Sequence, residues 1–250
     1  MKKLLTLGSL AGIMLFSCNK NNPGISPNPA AGLNVVNATI GSSPLIIRQG
    51  NTGVIYSKIP TTQQVSYGAN LIFGPAPGTY NYQFVQNIDT LHIMTTVTQS
   101  FQSGQTYSLF LAGSITQPDQ FVVQDQILTH AASDSTGSVR FVNLSAGSNP
   151  VSVDLKGMAN GSETASLAYK GITTFKNYAA TYTVVSYIFE FRDQVSGTLL
   201  ASYTISGVNN ATGTNTTANI FRYMNMTLAL IGQPGGTGAA AQKIILINNY

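Results

Sequence analysis

The chain contains a single cysteine, and this residue is the one most clearly placed to do chemistry. Cys18 follows Leu15, Phe16 and Ser17 at the end of a short apolar run. A cysteine thiolate is intrinsically very nucleophilic, so it can take up an acyl-lipid group. The small side chain of Ser17 leaves room for a peptidase to cleave just before Cys18. The pattern predicts a cysteine that is modified on sulfur and then becomes the first residue of the mature chain.

The residues before Cys18 have the order of a secretory signal. Two lysines precede the apolar run at 4–16, which is shorter than the roughly 20 residues that span a bilayer and typical of a signal peptide. The stretch Leu15-Phe16-Ser17-Cys18 resembles the lipobox of bacterial lipoproteins, although Phe16 is larger than the residue usual there. We therefore expect residues 1–17 to be a signal peptide and the acyl chains on Cys18 to hold the protein on a membrane.

Residues 18–32 form the predicted tether, because their Pro, Gly and Asn content favours an extended, unstructured chain. Asn19 stands where an Asp favours retention in the inner membrane of enteric bacteria. We expect an outer-membrane location, with the facing side left open. The alternative is an ordinary signal peptide or short anchor in which Cys18 is incidental.

The composition argues against several classes of protein. Charged residues are 8% of the chain, against roughly 25% in ordinary soluble domains. The net charge is +4, but the basic residues are scattered singly, which argues against a nucleic-acid partner. One cysteine allows no internal disulfide. With 43% hydrophobic residues the chain can still build cores, and the balance favours an extracytoplasmic β-rich protein.

The chain repeats a pattern after 106 residues. Val36-Asn37 is followed by Gly41-Ser42-Ser43-Pro44, and Val142-Asn143 is followed at the same spacing by Gly147-Ser148-Asn149-Pro150. Tyr107-Ser108-Leu109-Phe110-Leu111-Ala112-Gly113 corresponds in the same way to the segment 226–232. A period of this length indicates a domain duplication and not a solenoid. We predict a first domain at 33–128, a linker at 129–137 and a second domain at 138–250.

Within each unit the apolar residues alternate with polar ones, which indicates half-buried strands. Glycine- and proline-rich turns separate these runs, and no mature segment shows a sustained helical period. The core-facing positions predicted from alternation include Tyr80, Tyr82, Phe84, Tyr107, Leu109, Leu111, Val185, Tyr187, Phe189 and Phe191. The sequence predicts an all-β fold of two tandem immunoglobulin-like β-sandwiches.

The opening of the second unit is similar to a known family. Val139-Arg140-Phe141-Val142-Asn143-Leu144-Ser145, followed by Pro150-Val151-Ser152-Val153-Asp154-Leu155, resembles the start of domain-of-unknown-function family 4397. The first unit departs from it, since Asn34 replaces the arginine and Leu45-Ile46-Ile47-Arg48 lacks the aspartate. The resemblance implies tandem sandwich modules on secreted or lipid-anchored bacterial envelope proteins, of the Bacteroidetes type. It implies no reaction.

The two histidines do not point to a catalytic or metal site. His92 lies between Leu91 and Ile93, so alternation places it on the solvent face, and His130 lies in the linker, where we expect it to be exposed. We expect no carboxylate beside either. The mature chain has two histidines, eight carboxylates and no free thiol, so we predict no metal site and no cofactor.

Hydrolase motifs are also missing from the sequence. No G-x-S-x-G elbow is present. Asp154, Glu163, Glu190 and Asp193 fall in different segments, which does not favour a carboxylate pair for glycoside hydrolysis. Asp154 alternates with apolar neighbours, so we expect it to face solvent.

Two features could serve binding or modification. Tyr67, Tyr169, Tyr178 and Tyr250 do not fall on core-facing positions, and exposed tyrosines can stack on sugars or anchor protein partners. Two triplets, Asp89-Thr90-Leu91 and Asp134-Ser135-Thr136, resemble a short O-glycosylation motif of Bacteroidetes proteins. Thr90, Ser135 and Thr136 are therefore candidate glycosylation sites, and the linker copy is favoured.

These observations favour a lipid-anchored cell-envelope protein that acts as a non-catalytic interaction, adhesion or structural module. The expected partners are the membrane, through the acyl chains, and a glycan or another envelope protein. One alternative is a carbohydrate-binding component of a nutrient-uptake system. Another is a fimbria-type subunit in which the terminal strand from Lys243 to Tyr250 pairs between molecules. A hydrolase is the least favoured.

Overall fold

The computed structural model describes residues 29–50, 59–131, 133–211 and 216–249. These ranges contain sixteen strands, two 3₁₀ turns at Thr61–Gln63 and Gly238–Ala240, and no helix that is long and apolar enough to cross a membrane. The first eight strands are β1 Gly32–Asn37, β2 Leu45–Gln49, β3 Gln64–Val65, β4 Asn70–Phe73, β5 Gly78–Gln86, β6 Asp89–Phe101, β7 Thr106–Gly113 and β8 Pro118–Asp125. The second eight are β9 Thr136–Asn143, β10 Val151–Leu155, β11 Thr164–Leu167, β12 Lys176–Ala179, β13 Ser186–Asp193, β14 Leu199–Ser206, β15 Asn225–Ile231 and β16 Lys243–Asn249.

The strands form two sandwiches with the same topology, so the predicted all-β sandwich fold is confirmed. The first sandwich pairs its strands in the orders β4-β1-β7-β8 and β3-β2-β5-β6, and the second in the orders β12-β9-β15-β16 and β11-β10-β13-β14. The first strand of each unit runs parallel to the seventh, and the other pairings are antiparallel. This order differs from the ABED and CFG sheets of antibody constant domains.

The predicted alternation places the expected residues in the two cores. Tyr82, Phe84, Tyr107, Leu109 and Leu111 are buried together in the first sandwich, with Tyr80 packed against them. Phe189 and Phe191 are buried in the second sandwich, with Tyr187 against them. Val185 differs, because it precedes β13 and its side chain is exposed.

The repeated Val-Asn pattern closes equivalent loops. Asn37 and Asn143 are fully buried, and each side-chain oxygen accepts the backbone N–H two residues later at 3.0 Å. Each amide also donates to a serine five residues on and to the carbonyl of the last residue of β3 or β11, Val65 or Leu167. The loops then turn at glycines with positive φ, Gly41 and Gly147. A buried amide that satisfies three groups of an irregular loop explains why this part of the sequence repeats.

The two sandwiches pack against each other through one face of β1, β7, β9 and β15. These strands are buried on both faces: in β1, β7 and β9 odd positions such as Leu109 fill their own core and even positions such as Phe110 face the other sandwich, and in β15 the two sets are exchanged. The shared apolar layer is Val36, Ala38, Phe110, Ala112, Val142, Leu144, Ala229, Ile231 and Ile247. Apolar character on both faces of a strand indicates cover on both sides. The tandem units are thus joined by a packed interface as well as by the connecting segment.

Strand direction gives the molecule two distinct ends. The strands β1 and β9 run the same way: Ser108, which pairs with Asn34 near the start of β1, accepts a hydrogen bond from Arg140 of β9, and further along Val36 and Ala38 share a layer with Val142 and Leu144. The end where Gly32 begins β1 also holds the connection 126–135 and the end of β16, and we call it the entry end. The loops 38–44, 114–117, 144–150 and 232–242 lie at the opposite end, which we call the far end.

Candidate functional site

The predicted modification sites fall in different places. Leu15, Phe16, Ser17 and Cys18 lie outside the described residues. Thr90 is half-buried near the start of β6, at the far end. Ser135 is exposed at the entry end.

Thr136 is the half-buried first residue of β9. Its hydroxyl lies 3.1 Å from Nδ1 of His130, so it is engaged with the protein.

An open cleft of about 500 Å³ lies at the far end, where the loops of the two sandwiches meet. The first sandwich contributes Ile40 from its first loop and residues 113–114 and 117–119 from the β7–β8 hairpin. The second contributes Ala146, Gly147, Tyr169 and Gln233. Ile40 and Ala146 occupy equivalent positions in the two repeats, as do Ser114 and Gln233. The cleft therefore lies on the approximate two-fold relation between the units, and neither unit forms it alone.

Asp119 and Tyr169 give one wall of the cleft its chemistry. The Asp119 carboxylate accepts a hydrogen bond from Nζ of Lys170 at 3.0 Å, and both of these side chains remain over a third exposed. Burial, followed by the charge of Asp119 and a hydrogen bond to it, raises the pKa of Tyr169 to about 12. The phenol therefore stays protonated at neutral pH and acts as a hydrogen-bond donor.

The cleft combines the groups that recognise hydroxyl-rich ligands. A carboxylate accepts hydrogen bonds from hydroxyls, and the amides of Gln117 and Gln233 both donate and accept. Tyr169 adds an apolar ring with a polar tip. The described residues include no group of three or more His, Cys, Asp or Glu side chains that could hold a metal ion. The arrangement suits binding of a polar, uncharged molecule.

At the entry end, the interface contains a closed ring of buried polar side chains. Arg140 donates to Asp125 at 2.7 Å, to Ser108 at 3.0 Å and to Thr227 at 2.8 Å. Ser108 donates to Asp125 at 2.7 Å, and Asn249 joins Thr227 to Ser108. Ser108 and Asp125 belong to the first sandwich and the other three residues to the second. This ring joins the two units.

The ring also shows how the repeat has diverged. Pairing across β1–β7 and β9–β15 makes Asn34 the equivalent of Arg140, and pairing across β7–β8 and β15–β16 makes Asn249 the equivalent of Asp125. One side of the interface thus carries an ion pair where the other carries amides. Burial lowers the pKa of Arg140, and the charge of Asp125 opposes that shift. The Arg140 guanidinium also lies 4.5 Å from the ring centre of Phe175.

His130 is a correction to the sequence prediction, because it is buried and has a carboxylate beside it. Its side chain is 2% exposed, with Nδ1 at 3.2 Å from Asp134 and Nε2 at 3.0 Å from the Ser138 hydroxyl. The hydrogen bond from Thr136, followed by that from His130, lowers the pKa of Asp134. The short linker folds back on β9, so its histidine reaches a serine on that strand.

The contacts run from Ser138 to His130 to Asp134, as they do in a catalytic triad, but a substrate could not reach the serine. Ser138 is fully buried in β9, and its hydroxyl donates to Asn177 at 2.6 Å, so its proton points away from His130. Its backbone N–H, one of the usual oxyanion-hole donors, donates to Met224. A nucleophile without access to substrate or oxyanion donors cannot carry out acyl transfer. The geometry fits a network that fixes the linker.

Asp154 is a second correction, because it is 2% exposed and not solvent-facing. It lies directly across from Glu190 in the β10–β13 pair, and Arg192 bonds to both carboxylates. Asp154 also accepts the backbone N–H of Gly161 from the following loop. Its charge is therefore satisfied within the fold, which explains how a carboxylate occupies a strand position between apolar residues.

The tyrosines proposed as exposed lie in three different settings. Tyr178 is buried, contrary to the prediction, and its hydroxyl donates to Glu163. Burial is the main cause of the raised pKa of Tyr178, and Glu163 adds to it. Tyr67 and Tyr169 are equivalent, half-buried residues that pack against the shared layer. Tyr250 lies outside the described residues.

His92 is exposed as predicted, but the expected absence of a carboxylate is wrong. Its Nδ1 lies 2.8 Å from Oδ2 of Asp89, and its side chain is 84% exposed. The hydrogen bond from His92 is the main cause of the lowered pKa of Asp89. The same carboxylate accepts the backbone N–H groups of Leu91 and His92, so it stabilises the start of β6.

No family model and no curated protein matches this chain.

The cleft and the ring were not predicted from the sequence. Gln117 and Asp119 belong to the β7–β8 hairpin and Gln233 to the loop after β15, and none of them stands in a motif. Gln233 meets the other two only because the two sandwiches dock. A signal was present in β7, whose alternate residues are apolar or small on both faces.

The last strand, β16, pairs with β15 of its own sheet. The fimbria-type alternative would require it to leave that sheet.

Proposed function

We propose that this chain is a lipid-anchored cell-envelope protein that acts by binding another molecule and not by catalysis. The observation that carries the proposal is the position of the cleft at the far end, opposite the point where the N-terminal chain enters β1. A chain anchored through Cys18 would present the cleft away from its membrane. The two ends lie far apart, because the strand β9, Thr136–Asn143, runs from one to the other and is roughly 26 Å long at about 3.3 Å per residue.

Metabolic labelling with palmitate tests the anchor. The wild-type protein is expected to take up label and to partition with membranes, and Cys18→Ala is expected to lose both properties. Ser17→Ala is the matched control, because a small residue before the cysteine is retained. An unlabelled wild type would reduce the proposal to an ordinary secreted protein with two sandwiches.

A second, more specific function is favoured by the Asp119–Tyr169 wall: the cleft binds a glycan, as in a carbohydrate-binding component of a nutrient-uptake system. Sugar hydroxyls are matched by an accessible carboxylate, two glutamine amides and a tyrosine that keeps its proton. The openness of the cleft to solvent at the far end would admit a chain end or an internal unit of an oligosaccharide. Uncharged glycans suit this wall better than acidic ones because of the Asp119 carboxylate.

A glycan array probed with the soluble form, residues 19–250, tests this ligand class. Binding is expected to a restricted set of uncharged glycans, and Asp119→Asn is expected to weaken it roughly tenfold or more, as for loss of a hydrogen bond to a charged group. Tyr67→Phe is the matched control for Tyr169→Phe, because Tyr67 is the equivalent residue in the first repeat and lies outside the cleft. Equal binding by all variants, or none by the wild type, would exclude the cleft as a glycan site.

A further inference from the structure

Four apolar side chains are exposed together at the entry end of the second sandwich. Tyr182 is 74% exposed, Val185 63%, Ile220 66% and Tyr223 42%. They lie in the two loops that connect β12 to β13 and β14 to β15. We call these four residues the entry-end patch.

Hydrogen bonds between the two loops hold the patch as one surface. The N–H of Val208 donates to the carbonyl of Val185 at 3.1 Å, and the guanidinium of Arg222 donates to the carbonyl of Ala180 at 3.0 Å. The Asn219 amide donates to Val208 at 2.8 Å within the second loop. Contiguous exposed apolar residues on a folded domain mark an interaction site, because leaving them in water is unfavourable.

The chemistry of the patch fits a bilayer surface. Two of its residues are tyrosines, which place an apolar ring and a polar hydroxyl at the boundary between hydrocarbon and water. An exposed cationic side chain, Lys156, flanks the patch beside β13, where its backbone N–H donates to the carbonyl of Ile188. Arg222 adds a second positive charge within the second loop, where it is half-buried against Ala180. The nearest carboxylate of the linker, Asp134, is paired with His130 and Thr136. Cationic residues are attracted to an anionic lipid surface.

The position of the N-terminal chain indicates that a membrane covers the entry-end patch. The described chain begins at Pro29 and enters β1 at Gly32, at the same end as the patch. The segment from Cys18 to Pro29 can span at most about 40 Å. We propose that the entry-end patch rests on the headgroup region of the bilayer that holds the Cys18 anchor. This inference rests on the proposed anchoring, which raises the effective concentration of a weak membrane contact to the millimolar range.

The far end also exposes apolar residues, and it provides the matched control. Val195, in the β13–β14 hairpin, is 80% exposed. Val185 and Val195 flank the two ends of β13, Ser186–Asp193, and lie roughly 26 Å apart along the strand at about 3.3 Å per residue. Asp193 caps the far hairpin through bonds to Val195 and Ser196, so an anionic bilayer would be repelled there.

The composition of the chain makes a sharp test available. The protein has no tryptophan, so Tyr182→Trp and Val195→Trp each introduce a single tryptophan, whose indole can be excited without exciting the tyrosines. It has one cysteine, so residues 18–250 can be coupled through Cys18 to a maleimide phospholipid in vesicles of phosphatidylethanolamine and phosphatidylglycerol. Chemical coupling makes the result independent of whether the bacterium lipidates Cys18. A failure of this test is therefore distinguishable from a failure of palmitate labelling.

The measurement is fluorescence quenching by phospholipids brominated on their acyl chains. Tyr182→Trp is expected to show a blue-shifted emission that brominated lipid quenches, and Val195→Trp is expected to show neither effect. Adding Val185→Ser and Ile220→Ser to the Tyr182→Trp variant is expected to reverse both, with an unchanged far-UV circular dichroism spectrum. No quenching at position 182, or equal quenching at both positions, would overturn the proposal.

Discussion

The buried pair of Arg140 and Asp125 is expected to hold the two sandwiches together, and Asp125→Ala tests this directly. The Arg140 side chain is 4% exposed and that of Asp125 is 0%. Removing the carboxylate leaves a guanidinium buried without its counter-charge, although Ser108 and Thr227 still accept two of its hydrogen bonds. Breaking one side of a buried pair costs about 3–5 kcal/mol. That is a large part of the roughly 5–15 kcal/mol by which native proteins are stable.

The repeat supplies its own compensating variant. The equivalent positions on the other side of the interface carry Asn34 and Asn249, so Arg140→Asn combined with Asp125→Asn would copy an arrangement that the chain already uses. Replacing both charges avoids an unpaired charge, so the double variant is expected to recover at least half of the loss caused by Asp125→Ala. A double-mutant cycle with Arg140→Asn and Asp125→Asn as the single variants is expected to give a coupling energy of about 2 kcal/mol.

Urea unfolding followed by circular dichroism gives the free energies. The slope rises with chain size, so we expect roughly 3 kcal/mol per molar urea here, and Asp125→Ala should then lower the midpoint by about 1–2 M. The control is Lys170→Ala, which removes a half-exposed pair with Asp119 and is expected to change stability by less than about 0.5 kcal/mol. If Asp125→Ala stays within about 0.5 kcal/mol of the wild type, or if the cycle shows no coupling, the ring does not hold the interface.

Four further outcomes are expected. Asn143→Ala leaves buried loop groups without partners and should cost about 1–3 kcal/mol, whereas the exposed Asn149→Ala should be nearly neutral in the same urea assay. Gly232→Ala should destabilise far more than Gly235→Ala: both have positive φ, but only the first would bring a Cβ to 2.4 Å from the carbonyl oxygen of Ala241. In an NMR titration the Tyr169 phenol should titrate near pH 12, and Asp119→Asn should lower that pKa only in part, because burial is the first cause of the shift. A pKa raised on folding means that the protonated Tyr169 stabilises the folded state; this stabilisation is present below pH 10 and is lost as the pH rises through 12. The intact mass of native protein should exceed that of the lipoprotein alone if Ser135 is glycosylated, and Ser135→Ala should remove the excess; an unchanged mass would exclude that site.

The sequence predicts this fold well where a residue's environment depends on its own strand. Alternation placed Tyr82, Phe84 and Leu109 in their cores because a strand has a fixed period of two. The repeated Asn37 and Asn143 marked equivalent loops because a buried amide imposes the same requirements twice. Asp154 and Tyr178 were placed wrongly because their burial depends on partners from other segments, Arg192 and Glu163, whose proximity is set by strand pairing. The cleft required one more level of information, the docking of the two units.

The divergence between the repeats explains why a duplicated domain would pair with its copy in the same chain. If two first sandwiches met through this face, Asp125 would lie against Asn34 of the other copy and its charge would have no partner. If two second sandwiches met, Arg140 would face Asn249 and Thr227 without a carboxylate. Only the pairing of a first with a second sandwich buries both charges together, and each unpaired buried charge costs several kcal/mol. The ion pair thus disfavours the like-with-like interfaces that an exact duplication would permit, which is how a specific interface excludes its near-identical competitors. The same divergence places Asp119 where the second repeat has Lys243, so the chain forms a cleft with a single carboxylate wall.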